Sequence, residues 1–262
     1  MIALEVEGLK KSYTKNDQRL EILDIERFAV REGEFITIIG PSGCGKSTFL
    51  HMMGGFIGAD AGAIRVYGKE VKEPGPDRGM MFQEFALFPW KTVAGNVAWG
   101  LEAQGAPRSH IDEVVAKYLD MTGLSEFRNH YPAELSGGMK QRVALARVLA
   151  FDPKVLLMDE PFGALDAQTR ETMQEEVTLL WERTKKTIVF VTHDIDEAVY
   201  LGDRIVVLTA RPGRIKEEVK IDLPRPRSLE IKKSIQCHEY RNYVWDLIRS
   251  ESQRNYRSSR DQ

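Results

Sequence analysis

Cysteine is nearly missing from this sequence: Cys44 and Cys237 are the only two among 262 residues. They show no metal-ligand spacing, which argues against a disulfide or zinc framework. Long apolar runs are missing too. No stretch approaches the roughly 20 residues that a membrane-spanning helix needs. The N-terminus, Met1 to Lys10, alternates charged and apolar residues where a secretory signal would carry an apolar core. Any membrane role therefore has to run through a partner or a surface contact, and the expected form is a soluble chain. Net charge is also small: 37 Lys and Arg against 39 Asp and Glu leave a formal -2, so no long-range field calls for nucleic acid as a partner. No internal repeat is present. What is there, 42% hydrophobic and 29% charged, can bury a substantial core, either as one large domain or as a core with a dependent subdomain.

The patterning alternates strand and helix. Residues 2–9 and 20–31 carry strand-type spacing. Phe35-Ile36-Thr37-Ile38-Ile39 is a nearly unbroken apolar run, as in a strand buried on both faces. A helix is predicted from about residue 46 to 53, and short strands at 63–67 and 79–82. From 92 to 130 the period becomes helical, with Val93, Val97 and Leu101, then Ile111, Val114, Val115, Tyr118 and Leu119, at helix spacing. This stretch reads as an inserted helical subdomain. A helix over 138–151 and a buried strand at 155–158 follow. Then come a helix at 167–183, a strand at 187–191, a helix at 195–201 and a strand at 204–209. Residues 213–223 suggest a small terminal strand pair, and the proline-arginine segment 224–227 a linker. Ile231, Ile235, Tyr240, Val244 and Ile248 outline a final amphipathic helix, and the polar residues 250–262 a frayed tail.

Gly40-Pro41-Ser42-Gly43-Cys44-Gly45-Lys46-Ser47-Thr48 fits the phosphate-loop pattern, with the required strand before it and a helix after it. Its glycines let backbone N–H groups approach phosphate oxygens, and the helix N-terminus adds a preference for anions. Lys46 supplies charge to the β and γ phosphates of a nucleotide, and the Ser47 hydroxyl can ligate Mg2+. Cys44, near a helix N-terminus, is expected to be reactive toward alkylating agents yet dispensable. The strand Val155-Leu156-Leu157-Met158 delivers Asp159 to hold the metal or one of its waters, and Glu160 to polarise the attacking water. These features make a P-loop nucleoside triphosphatase. They leave kinases, helicases, GTPases and transport ATPases open.

Leu135-Ser136-Gly137-Gly138-Met139 narrows the class, because it resembles the signature of ATP-binding cassette proteins. The resemblance covers roughly residues 2–215. It implies an α/β fold: a RecA-like P-loop core with an N-terminal antiparallel β subdomain and an inserted α-helical subdomain at about 84–152. The cassette would end near residue 223, with a short helical extension beyond. By the same resemblance Gln83 is the Q-loop glutamine, sensing the γ-phosphate and Mg2+. Asp166 belongs to the D-loop and crosses a dimer interface, His193 is the switch histidine holding the γ-phosphate and attacking water, and Tyr13 stacks on adenine. In the family, cassettes meet head to tail, each ATP lying between one phosphate loop and the other chain's signature. Ser136, Gly137 and Gly138 open a helix and so form a second anion-binding surface, redundant unless it serves a neighbour's nucleotide.

Gln83 leads into Glu84-Phe85-Ala86-Leu87-Phe88-Pro89-Trp90, where the family accepts a coupling helix from the transmembrane permease. Pro89-Trp90 with Thr92-Val93 and Asn96-Val97, Pro161-Phe162-Gly163-Ala164-Leu165-Asp166, and Arg211-Pro212-Gly213-Arg214-Ile215 look like bacterial importers for nitrate, sulfonates and taurine. The implied partners are a second copy of the chain or a paralogous ATPase, the permease, and a periplasmic or extracellular solute-binding protein. The implied location is the cytoplasmic face of the inner membrane. The chain is too short for a long regulatory domain, and residues 228–262 would form a short helix packing on the core or holding a dimer. Arg249, Arg254, Arg257 and Arg260 read as a solvated tail. Other readings are an exporter subunit, a DNA-repair ATPase and a translation-associated ATPase. The second would place a long coiled coil between phosphate loop and signature, and the third two cassettes in one chain. Neither pattern is in this sequence.

Overall fold

The computed structural model describes residues 1–15 and 18–258. The chain forms two compact units, one of Met1–Gly75 with Gln174–Gln262 and one of Pro76–Met173. The first unit opens with β1 (Ile2–Lys15) and β2 (Gln18–Arg31), antiparallel, with Val6 facing Phe28 and Leu9 facing Ile25. The apolar alternation of β1 ends at residue 9. The strand continues to Lys15 because ladder hydrogen bonds do not depend on apolar side chains. All five residues of β3 (Phe35–Ile39) are buried, and α1 (Lys46–Gly54) follows a glycine-rich turn. β4 (Ala61–Val66) and β5 (Lys69–Glu70) complete a sheet of order β2-β1-β4-β5.

The second unit contains β6 (Arg78–Met81), α2 (Val93–Ala103), α3 (Arg108–Met121), α4 (Gly137–Ala150) and β7 (Val155–Asp159). β6 and β7 are parallel, with Met81 beside Met158. Val93, Val97, Leu101, Ile111, Val115 and Leu119 are all buried, as the helical period predicts. A side chain at Gly79 would meet Val148 Cγ1 at 2.4 Å, so α4 can lie directly against β6 only because that position is glycine.

α5 (Ala167–Thr184) leads the chain back into the first unit, followed by β8 (Thr187–Val191), α6 (Ile195–Leu201), β9 (Arg204–Leu208) and β10 (Ile215–Lys220). β8 and β9 flank β3, both parallel to it. Connections between parallel strands run through helices that cover the faces of the sheet, hence the continuous apolar runs of β3 and β8, all of whose residues are buried. The expected strand pair at 213–223 is instead the single strand β10, laid antiparallel on β9.

The C-terminal region departs most from its reading as linker and tail. Residues 224–227 are a docked strap. The Arg225 guanidinium lies 4.2 Å from the Trp181 ring centroid and pairs with Asp203 at 2.8 Å. The Arg227 side chain is buried and donates to the carbonyls of Val199, Tyr200 and Gly202. Composition mimics a linker here because the partners lie on α5 and at the end of α6, distant in sequence. A 3-10 turn (Leu229–Lys233) precedes α7 (Ile235–Ser258). Cys237 and Val244 are buried against Val199, Val207, Val219 and Ile221, with Tyr240, Leu247 and Ile248 alongside. Ile235, expected on this face, is 79% exposed at the first position of the helix. The polar residues 250–258 continue the helix rather than fray, and residues 259–262 lie outside the described residues.

Candidate nucleotide site

In the first unit the phosphate loop leaves β3 and α1 begins at Lys46. Gly43 and Gly45 sit at φ +73° and +100°, a left-handed conformation in which side chains are strained, and a Cβ at Gly45 would come within 2.9 Å of Leu23 Cδ2. The loop is thus a cradle of bare backbone. Lys46 is 7% exposed, and its Nζ donates to Gly40 O at 3.0 Å and Pro41 O at 3.3 Å. The ammonium is therefore curled into the loop's concave side, where phosphate oxygens would lie. Ser42, Gly43 and Ser47 are exposed, and Thr48 is half-buried in α1. Arg211, which the motif reading left without a role, donates to Gly43 O at 3.2 Å and ties the loop to the segment after β9.

Cys44 corrects one expectation. It is 1% exposed, and burial pushes its thiol up, against the lowering influence of Lys46. Cys237 is buried as well. The folded chain should therefore resist alkylation, with both thiols reacting only on unfolding, which a thiol titration with and without denaturant would record. Cys44→Ser should leave ATP turnover within about twofold while costing about 1–2 kcal/mol of stability for the buried hydroxyl. Lost turnover in a folded variant would give the thiol a role in the chemistry.

His193 follows β8, whose Val191 pairs with Ile38 of β3, and Thr192 N donates to Ile38 O at 3.2 Å. The phosphate loop and His193 accordingly leave the same edge of the parallel strands. Asp194 caps α6, accepting from Asp196 N at 2.8 Å and Glu197 N at 3.1 Å. Tyr13 lies on β1, 43% exposed, with Lys11 Nζ 5.5 Å from its ring centroid.

The second unit carries the acidic residues. Because β6 and β7 are parallel and in register, Gln83 and Asp159 emerge at one strand edge. Asp159 is 5% exposed at the end of the wholly buried β7. Glu160 has φ +42°, rare for a residue with a side chain, and its carbonyl accepts from Gly163 N at 3.1 Å. Such strain persists where the surroundings enforce it, most often at functional positions. The Gln83 side chain lies beside this turn, its Nε2 3.9 Å from where a Cβ on Gly163 would sit.

Ser136 caps α4, its hydroxyl accepting from Met139 N at 3.3 Å, and Gly137 and Gly138 form the first helical positions. Ser136, Gly138, Met139, Arg142, Gln168 and Thr169 line a cavity of about 240 Å³. A side chain at Gly138 would strike Thr169 Cγ2 at 2.7 Å. Asp166 caps α5, accepting from Thr169 N at 3.0 Å and Thr169 Oγ1 at 2.7 Å, bonds that hold its carboxyl below the usual range.

The segment after Gln83 is clamped from two helices. Asn96 of α2, fully buried, bonds both backbone groups of Phe88, and Arg147 of α4 donates to Ala86 O at 2.6 Å and Phe85 O at 3.1 Å. The result is a groove of about 840 Å³ lined by Gln83, Phe85, Leu87, Pro89, Pro132 and Ala164 among others. Trp90 stands 72% exposed nearby. Arg147 could not be found by motif, since its acceptors are backbone carbonyls far away in sequence.

A phosphate loop between a buried parallel strand and a helix, in an α/β chain that also carries a buried strand ending in Asp159, defines a P-loop nucleoside triphosphatase. The chain belongs to the ABC transporter family, which it matches over residues 23–163. An uncharacterised ABC transporter ATP-binding protein of Methanocaldococcus jannaschii is 52% identical over 95% of this chain and 92% of its own length. The nitrate import ATP-binding protein of Synechocystis is 44% identical over 94% of this chain and 95% of its own. The aliphatic sulfonates import ATP-binding protein of Bacillus cereus is 44% identical over 87% and 89%. Among solved structures, a dimeric ATP-binding cassette in a post-hydrolysis state with ADP and Pi aligns with TM-score 0.74 and 32% identity. It covers 84% of this chain and all of the other. No helix among the described residues is long and apolar enough to cross a membrane.

Proposed function

We propose that this chain is the ATP-hydrolysing subunit of a membrane importer for a small anion such as nitrate, a sulfonate or taurine. The observation that carries the reading is the capped N-terminus of α4 at Ser136, opening on its own cavity in a chain that already owns a phosphate loop at α1. One bound ATP per chain has use for only one of them, so the α4 surface serves the nucleotide of a second cassette. A second copy of the chain is the simplest partner, and a paralogous ATPase would serve equally. In this reading the groove at residues 83–89 would take a helix from a permease, and the chain would work at the cytoplasmic face of the membrane. A solute-binding protein would deliver the anion outside. The import relatives support the cargo class.

In this reading the backbone of residues 40–48 and Lys46 bind the phosphates, and Tyr13 stacks on the base. Ser136, Gly137, Gly138 and Asp166 act on the partner's nucleotide. Glu160 takes the proton of the attacking water, while His193 and Gln83 position it. No group of three or more His, Cys, Asp or Glu gathers as metal ligands among the described residues. Mg2+ needs none, since it binds through one or two protein oxygens plus phosphates and water, and Ser47, Asp159 and Gln83 offer oxygens of that kind. When bound it neutralises charge developing on the phosphates. Ser136→Arg should cut turnover by about a hundredfold while leaving binding at the chain's own loop intact, because it fills the surface offered to the partner. A strictly monomeric, fully active Ser136→Arg protein would rule out the shared site.

A further inference from the structure

Lys232, in the 3-10 turn before α7, ends on a buried polar chain that leads to the two neighbours of His193. Lys232 Nζ donates to Gln174 Oε1 at 2.6 Å, and Gln174 Nε2 donates to Glu197 Oε1 at 3.2 Å. Thr192 Oγ1 donates to Glu197 Oε2 at 2.6 Å and accepts from Asp194 N at 3.0 Å. Each link has a donor and an acceptor of the right sense. Gln174, Glu197 and Thr192 are 3%, 5% and 1% exposed, and the lysine is further held 4.8 Å from the Tyr200 ring centroid. All of these residues lie in the first compact unit.

We propose that Lys232 is a positioning residue for His193: through Gln174 and Glu197 it fixes the Thr192 hydroxyl, which in turn sets the backbone on both sides of the histidine. The geometry favours this over a merely structural strap. Thr192 and Asp194 bracket His193 directly, and a buried carboxylate at Glu197 is tolerable only where its surroundings offset its charge and fill its lone pairs. Lys232 holds the Gln174 amide that fills one of those lone pairs. The C-terminal segment thereby acts on the γ-phosphate side of the site without touching nucleotide. The inference rests on the role proposed above for His193.

The test uses the full chain and four variants: Lys232→Met, Lys232→Arg, Gln174→Leu and His193→Ala. Lys232→Met and Gln174→Leu should each lower kcat about tenfold with KM for ATP nearly unchanged, the effect of one lost charge-assisted or buried hydrogen bond. Lys232→Arg, which keeps a donor, should recover most of it. In nucleotide-free protein, amide exchange at residues 192–197 should quicken about tenfold in Lys232→Met and Gln174→Leu, while α7 stays protected. Unchanged exchange at 192–197 in both of them would overturn the proposal, as would a loss of kcat only in proportion to the fraction unfolded. Wild-type turnover by His193→Ala would instead refute the role of His193, leaving the exchange measurement to judge the relay by itself.

Discussion

Glu160→Gln is expected to bind ATP as tightly as the unaltered chain and to lose turnover by about a hundredfold or more. The amide keeps the volume and the hydrogen-bonding reach of the carboxylate but cannot accept a proton at neutral pH. Binding should survive because the phosphate loop and Lys46 belong to a different segment, residues 40–48, whose geometry is set by Gly43, Gly45 and Arg211. The fold should survive too, since the turn at Glu160 is held by backbone, with Gly163 N on its carbonyl. With hydrolysis blocked, ATP stays at the interface of two cassettes, and the variant should elute as a dimer with ATP and as a monomer without it. Turnover near the original rate would remove Glu160 from the chemistry.

The parts of this site legible in the sequence are those whose physics is local. Residues 40–48 must be glycine-rich because the loop turns through left-handed backbone within a few residues. Ser136 announces a helix start by itself. β3 and β7 show their burial as apolar runs because both faces are covered. What stayed hidden depends on partners far away in sequence. The burial of Cys44 follows from Gly213, where a side chain would strike Cys44 O at 2.2 Å, and from Leu208 beside Gly40. Arg147 and Asn96 shape the groove after Gln83 through bonds to its backbone, which leave no trace in its side-chain pattern. The strap at 224–227 combines both problems. Its prolines forbid regular structure, so it has no period to read, and its arginines look like a solvated linker until their acceptors are known.

Those acceptors make Arg227→Met the substitution with the largest expected effect on stability, a loss of about 3 kcal/mol. The last carbonyls of an α-helix have no partner within it. At the end of α6, Arg227 Nη1 bonds Val199 O at 3.2 Å, Tyr200 O at 2.8 Å and Gly202 O at 2.8 Å, while Arg225 bonds Leu201 O at 2.6 Å. The strap is thus a helix cap supplied from outside the helix. It carries its own cost: burial, with the nearby Arg225 charge adding to it, pushes the Arg227 guanidinium down to about 10. The folded value lies below the ordinary one, so the unfolded chain holds this proton more tightly. The resulting penalty is present in full at neutral pH and is relieved only above about pH 10. Methionine removes that penalty, which offsets part of the loss. It also strands several buried carbonyls at about 1–3 kcal/mol each, and α6 cannot turn them to water, because Ala198, Val199, Tyr200 and Leu201 are all fully buried. The carbonyl term is therefore the larger. Melting should fall by about 6–12 °C for a chain of this size, and amide exchange should rise first in the last turn of α6. Lysine should restore only a minority of the loss, since one ammonium cannot span acceptors that the planar guanidinium reaches together. A Met variant melting within about 2 °C of the original would mean that the strap merely covers α6 and does not cap it.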